Sequence, residues 1–100
     1  MKFYIIDGTY SENCPQGPAF KEILDAHHSY WSSFICKDKV LVSGPTVGGA
    51  GIVIVKAEND EEAKQIIDND PFVTEGIATF TVTEFKPYYL ISALAGWFSS

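Results

Sequence analysis

Between Pro18 and Cys36 the large apolar side chains fall at Phe20, Ile23, Leu24, Trp31, Phe34 and Ile35, one stripe at the period of an amphipathic helix. Pro18 stands where a first helical turn tolerates a missing N–H, so a helix is predicted from there to about Cys36. His27 lies inside the stripe. At about 100° per residue it shares a face with Phe20, Leu24, Trp31 and Phe34, whereas His28 sits at the edge. Periodicity alone therefore sets an imidazole against the core.

The remaining apolar runs are shorter. Phe3 to Ile6, aromatic and β-branched and stopped by Asp7-Gly8, reads as a strand. Val40-Leu41-Val42-Ser43 ends at Gly44-Pro45, and Ile52 to Val55 follows the turn Gly48-Gly49-Ala50-Gly51, which predicts a hairpin with a long loop. Those glycines are not followed by Lys-Ser or Lys-Thr, so they form a turn rather than a phosphate loop. Asn59, three residues before Glu62, resembles a capping box opening a helix whose stripe is Ala63, Ile66 and Ile67. Asp70 continues that stripe, and Pro71 biases it out of the helix, leaving its carboxylate at the helix end on the core side. Ile77 to Phe85 alternates Ala78, Phe80 and Val82 with Thr79, Thr81 and Thr83, a strand with one apolar face.

The order strand, helix, strand, strand, helix, strand is an α+β, ferredoxin-like βαββαβ arrangement, an antiparallel sheet with both helices on one face. The other face carries Tyr4 and Ile6 or Phe3 and Ile5, with Val40 and Val42 or Leu41, according to register. Apolar side chains on both faces predict pairing with a second copy.

Composition narrows the function classes. One hundred residues make one domain, and seven Lys, no Arg and thirteen acidic residues give a net charge of −6. That charge leaves no footprint for nucleic acid or an anionic membrane. Without the planar guanidinium fork a highly anionic substrate is disfavoured. Cys14 and Cys36 have neither metal-site nor disulfide-scaffold spacing and read as free thiols in a reducing cytoplasm. Asp7 cuts the N-terminal apolar run too short for a leader, and the run Tyr88 to Phe98 falls short of the roughly 20 residues that cross a bilayer. Tyr88 to Ile91 with Leu94, Trp97 and Phe98 are too apolar to hang in water. Residues 88–100 are expected to pack on the domain of residues 1–87 or on a partner subunit.

The candidate chemistry lies in His27 and Asp70. An imidazole, with its ordinary pKa of about 6.5, exchanges protons near neutral pH, and a carboxylate bonded to one ring nitrogen selects the other as the base. Ser43 is a candidate polar contact, and Tyr4 and Trp31 are candidate aromatic walls for a substrate. The competing structural roles are a core histidine bonded to a backbone carbonyl, an aspartate capping the turn before Pro71, a turn serine and plain core aromatics. His27 and His28, adjacent on a helix, point apart, and neither a further His nor a suitably spaced Cys exists to complete a metal site. Asn59-Asp60-Glu61-Glu62 suits a helix N-terminus and lacks calcium-loop spacing.

A helical His, Ser43-Gly44-Pro45 at a strand end and Asp70-Pro71-Phe72 after the second helix together resemble the YciI-related (YCII) family. The family's His precedes the Gly by 17 residues, the separation of His27 from Gly44. The resemblance covers roughly residues 1–87 and implies a dimeric α+β barrel with a His27/Asp70 dyad. It also implies acid–base chemistry on small cyclic, often aromatic, compounds. Many members carry Arg three residues before the His, where this chain has Leu24. The resulting expectation is a cofactor-free lyase or isomerase, active as a homodimer on a small cyclic substrate, with Ser43, Tyr4 and Trp31 positioning it. A non-catalytic small-molecule-binding domain is the alternative that Leu24 favours. A cofactor-independent monooxygenase is a third reading, without a dedicated motif.

Overall fold

The structure, a computed structural model, describes residues 1–99 and, of Cys36, only its place in the helix. Its elements are β1 (Lys2–Tyr10), α1 (Pro18–Cys36), β2 (Val40–Gly44), β3 (Gly51–Ala57), α2 (Asp60–Asp68), α3 (Pro71–Thr74) and β4 (Ala78–Phe85). A 3-10 turn (Ser92–Leu94) and α4 (Ala95–Phe98) follow. The four strands form one antiparallel sheet in the order β2-β3-β1-β4, with α1 and α2 on one face.

The expected barrel is not formed. The sheet is open, with β2 and β4 as its edges, because four strands cannot curl far enough for the edges to meet. β1 also runs past Asp7-Gly8 to Tyr10, since Gly8 pairs with both Gly51 and Phe80. Gly8 is admitted there because it has no side chain: a Cβ would collide with the Phe80 ring. What reads locally as a stop is a place where a ring lies across the backbone.

Register settles which side chains face the helices, because directly paired residues share a face. Ile6 pairs with Val53 and Val82, and Tyr4 with Val55 and Glu84, so Tyr4 and Ile6 point to the helices and Phe3 and Ile5 away. A bulge between Val40 and Val42 places Val40 opposite Val55 and Ser43 opposite Val53. The extra residue thereby returns Ser43 to the helix side, while Val42, paired with Ile54, remains on the open face and is 56% exposed.

The core lies between sheet and helices in two clusters. Trp31 joins Tyr4, Ile6, Val53, Val55 and Ile67, and Phe72 joins Ala50, Ile77 and Ala78, flanked by Phe20, Ile23 and Leu24 of α1. Burial of each large apolar side chain stabilises the fold by about 1.5–3 kcal/mol. α2 opens on the expected cap, the Glu62 N–H donating to Asn59 Oδ1 at 2.9 Å.

Beyond β4 the chain returns to the open sheet face. The Trp97 and Phe98 rings lie 5.7 and 5.0 Å from Phe3. Buried Lys56 donates to the Trp97 carbonyl at 3.0 Å, and its ammonium stands 4.7 Å from the indole. Trp97 Nε1 donates to the Asp38 carbonyl at 3.0 Å. Tyr88, Tyr89 and Ile91 remain exposed. Cys14 carries a free thiol; the expected free thiol of Cys36 lies outside the described residues. Among those residues no helix is long and apolar enough to cross a membrane.

Candidate active site

Helical spacing prepares the site. His27 and Trp31 are four residues apart on α1, so both side chains project from one face towards the junction of α2 and α3. At that junction Pro71 ends the helical conformation of Asp70, which adopts φ −64° and ψ 132° and becomes the N-cap of α3. Its Oδ1 accepts the Phe72 backbone N–H at 2.9 Å, the usual bond of an N-cap aspartate. The same carboxylate accepts from two α1 side chains, His27 Nδ1 at 2.8 and 2.9 Å from its two oxygens and Trp31 Nε1 at 2.8 Å from Oδ2.

Asp70 is fully buried, whereas the His27 side chain is 15% exposed. Removing a carboxylate from water is costly unless its oxygens are bonded, and here three N–H donors replace the lost hydration. A carboxylate only accepts, so Nδ1 is the protonated nitrogen of a neutral His27 and Nε2 can exchange a proton with a ligand. The imidazole also lies flat on Phe72, centroids 3.8 Å apart and planes 8° from parallel. Hydrogen bond and stack together hold the ring in one orientation.

His27 forms part of the wall of a cleft of about 560 Å³ between α1, the end of the β2–β3 hairpin and the Phe72 and Phe80 rings. Trp31 and Ser43 line it, as do Gly44, Pro45, Ala50 and Gly51. Ala50 and Gly51, at the end of the glycine-rich turn, therefore form part of one wall. His28 was expected to point away, yet it lines the cleft too, its ring 5.7 Å from that of His27. The cleft is wide enough to take in the edge of the helical stripe as well as its centre.

Tyr4 lies elsewhere. It does not line the cleft: on β1 it stands two residues from Ile6, the sheet partner of the cleft residue Val53. Its hydroxyl donates to Asp60 Oδ1 at 2.7 Å, in a second hollow of about 370 Å³ bordered by Lys64, Asp68 and Glu84. Burial, and then the Asp60 carboxylate, raise its pKa above the ordinary tyrosine value. Trp31 does reach the cleft, but its polar atom is committed to Asp70. The four-residue spacing of His27 and Trp31 was the sequence signal for that shared acceptor. The stacking role of Phe72 and the position of Phe80 over Gly8 had no such signal, since the first depends on how α3 packs against α1 and the second on strand register. Among the described residues no group of three or more His, Cys, Asp or Glu side chains is placed to hold a metal ion.

Comparison with known proteins sets this geometry in context. No curated protein matches the chain in sequence. Among solved structures, 5-chloro-2-hydroxyhydroquinone dehydrochlorinase from Burkholderia phenoliruptrix AC1100, in complex with 2,5-dihydroxybenzoquinone, is similar with a TM-score of 0.72 and 24% identity. The similarity covers 84% of this chain and 93% of that one. The Arabidopsis thaliana protein At3g17210 is similar with a TM-score of 0.50 and 12% identity, over 91% of this chain and 99% of that one. At these identities the two structures establish a shared fold. The family model of the YCII-related domain matches residues 2–86, a span that includes every element from β1 to β4 with His27 and Asp70, and the chain belongs to the YCII-related family.

Proposed function

We propose that the protein is a cofactor-free lyase or isomerase that moves protons on a small cyclic substrate held in the His27 cleft. The observation that carries this reading is the His27–Asp70 pair. A buried carboxylate bonds Nδ1 of an imidazole that forms part of a cleft wall, and the arrangement leaves Nε2 to act as base and then, once protonated, as acid. Asp70 fixes the tautomer, and Trp31 and the α3 N-terminus hold Asp70. Ser43 and His28 supply polar contacts for ring substituents, and Phe80 and Leu24 supply apolar walls. The structural relative named as a dehydrochlorinase of 5-chloro-2-hydroxyhydroquinone, with a dihydroxybenzoquinone bound, supports substrates of the same general kind. In a lyase step Nε2 takes a ring or hydroxyl proton as the leaving group departs with its electron pair. In an isomerase step the imidazolium returns the proton at another atom.

The same reading includes self-association and a cytoplasmic site of action. Ile5, Val42, Ile52 and Ile54 lie on the sheet face opposite the helices, with Val42 and Ile52 exposed. A second copy seated there would cover them. Light scattering should give about twice the chain mass of 11.0 kDa, and an 11.0 kDa species at micromolar concentration would sink the homodimer. Catalysis is tested by incubating the protein with a panel of chlorinated and hydroxylated quinols and enol lactones while following substrate loss and product formation. His27→Asn should lower turnover at least about 100-fold with the circular dichroism spectrum unchanged. Ligand binding without consumption of any member would make the cleft a binding site only.

A further inference from the structure

We propose that the cleft selects uncharged ring compounds and discriminates against those bearing a carboxylate. The inference rests on the cleft being the substrate site proposed above, and it concerns the charge of what enters. Among the described residues lining the cleft none is Lys, Arg, Asp or Glu. Leu24, one helical turn before His27, presents an apolar side chain to the cleft and packs beside the Phe72 cluster. Neither the walls nor the turn preceding His27 supplies a fixed cation.

The charge directly behind the His27 wall has the wrong sign for an anion. Asp70 lies behind the His27 ring, and its three donors are an imidazole, an indole and a backbone amide. With His27 neutral, the pair carries one negative charge out of water. With His27 protonated, the pair is neutral and still offers an anion no net attraction. A like unit charge about 7 Å away at an effective dielectric of about 20 weakens binding roughly fifty-fold. The net charge of −6 adds repulsion of the same sign.

What the walls do offer suits a neutral ring with hydroxyl or keto groups. Phe80, Leu24 and Ile35 present apolar surface, and Ser43, Ser32 and His28 lie among them. Ser32 Oγ donates to the His28 carbonyl at 2.8 Å, so its lone pairs remain to accept a ligand hydroxyl.

Binding is measured on the full chain by calorimetry or ligand-observed NMR, anaerobically at about pH 8, where the benzoate probes are fully ionised. Two matched pairs serve as probes: catechol with 3,4-dihydroxybenzoate, and hydroquinone with 2,5-dihydroxybenzoate. The neutral member of each pair should bind at least ten-fold more tightly. Leu24→Arg should narrow that preference at least about ten-fold by supplying a cation. Ile35→Arg, at a more exposed wall position, should act the same way if the Leu24 variant fails to fold. Carboxylates binding as tightly as their neutral partners, or neither member of a pair binding up to about 10 mM, would overturn the inference. The readout needs no turnover. Selective neutral binding without consumption of any substrate retains the inference and removes the proton-transfer reading; His27-dependent turnover of a ring carboxylate does the reverse.

Discussion

Among the described residues a tyrosine and a histidine each hydrogen-bond a carboxylate, and the two pairs are built in opposite senses. At one end of the sheet the buried partner is the neutral one: Tyr4, 1% exposed, donates to Asp60, which is itself exposed at the first turn of α2. At the other end the buried partner is the acid: Asp70, fully buried, accepts from His27 at the cleft wall. Tyr4 keeps its aromatic ring in the core and sends one hydroxyl to a charge that water still solvates, which is inexpensive. Burying Asp70 requires three donors aimed at one group, a costly arrangement for a capping residue whose bond to Phe72 would have sufficed at the surface. The excess is directed at the imidazole, so the second pair is the one to test for chemistry.

The comparison is most open to attack at Asp70. Asp70→Ala leaves the His27, Trp31 and Phe72 N–H groups without their acceptor and should destabilise the fold by about 3 kcal/mol or more in urea unfolding. Asp70→Asn keeps the shape and the cap, and should instead lower turnover by about 100-fold or more by releasing the tautomer of His27. A variant that loses stability without any effect of Asp70→Asn on ligand turnover or binding would make Asp70 a cap only.

Trp31→Phe comes next. It removes one of the three donors while preserving most of the packing, so the expected loss is about 1–3 kcal/mol, with a turnover defect smaller than that of Asp70→Asn. Equal turnover in the variant and the parent would detach the indole from the dyad.

Tyr4→Phe should cost about 1 kcal/mol and leave turnover unchanged, since the lost bond runs to an exposed carboxylate that does not line the cleft. A large activity defect would erase the distinction between the two ends.

The smallest effect is alkaline. Tyr30 donates to the Ile66 carbonyl, and burial, followed by the Asp70 carboxylate, pushes its pKa from 10.0 up to about 12. The unfolded chain ionises first, so the Tyr30 contribution is complete below about pH 10 and is lost as pH rises towards about 12. Tyr30→Phe should flatten that part of the curve of urea midpoint against pH.

Much of this was legible without coordinates. The period of α1 placed His27 on the core face, the Asn59/Glu62 spacing marked the start of α2, and Asp70-Pro71 marked a helix end with an inward carboxylate. The site fell short at Tyr4 and His28. Tyr4 alternates correctly into the core, but alternation along a strand does not say which end of the sheet the residue occupies relative to a helix 20 residues later. His28 sits at the edge of a stripe, and whether an edge residue meets solvent or a cleft depends on where the β2–β3 hairpin stops.

Local chemistry by itself determined the two long helices, the Asn59 cap, the alternating strands and the candidate pair, because those signals reside within one or two turns of chain; the short helices Pro71–Thr74 and Ala95–Phe98 carry no such signal. Tertiary structure alone decided that Asp70 accepts from both His27, 43 residues away, and Trp31. It also decided that Phe72 lies flat beneath the imidazole, that Gly8 admits the ring of Phe80, and that the four-stranded sheet stays open. Each of these depends on register and on the packing of helices against a sheet, and hydrophobic period records which face is buried but not what it is buried against.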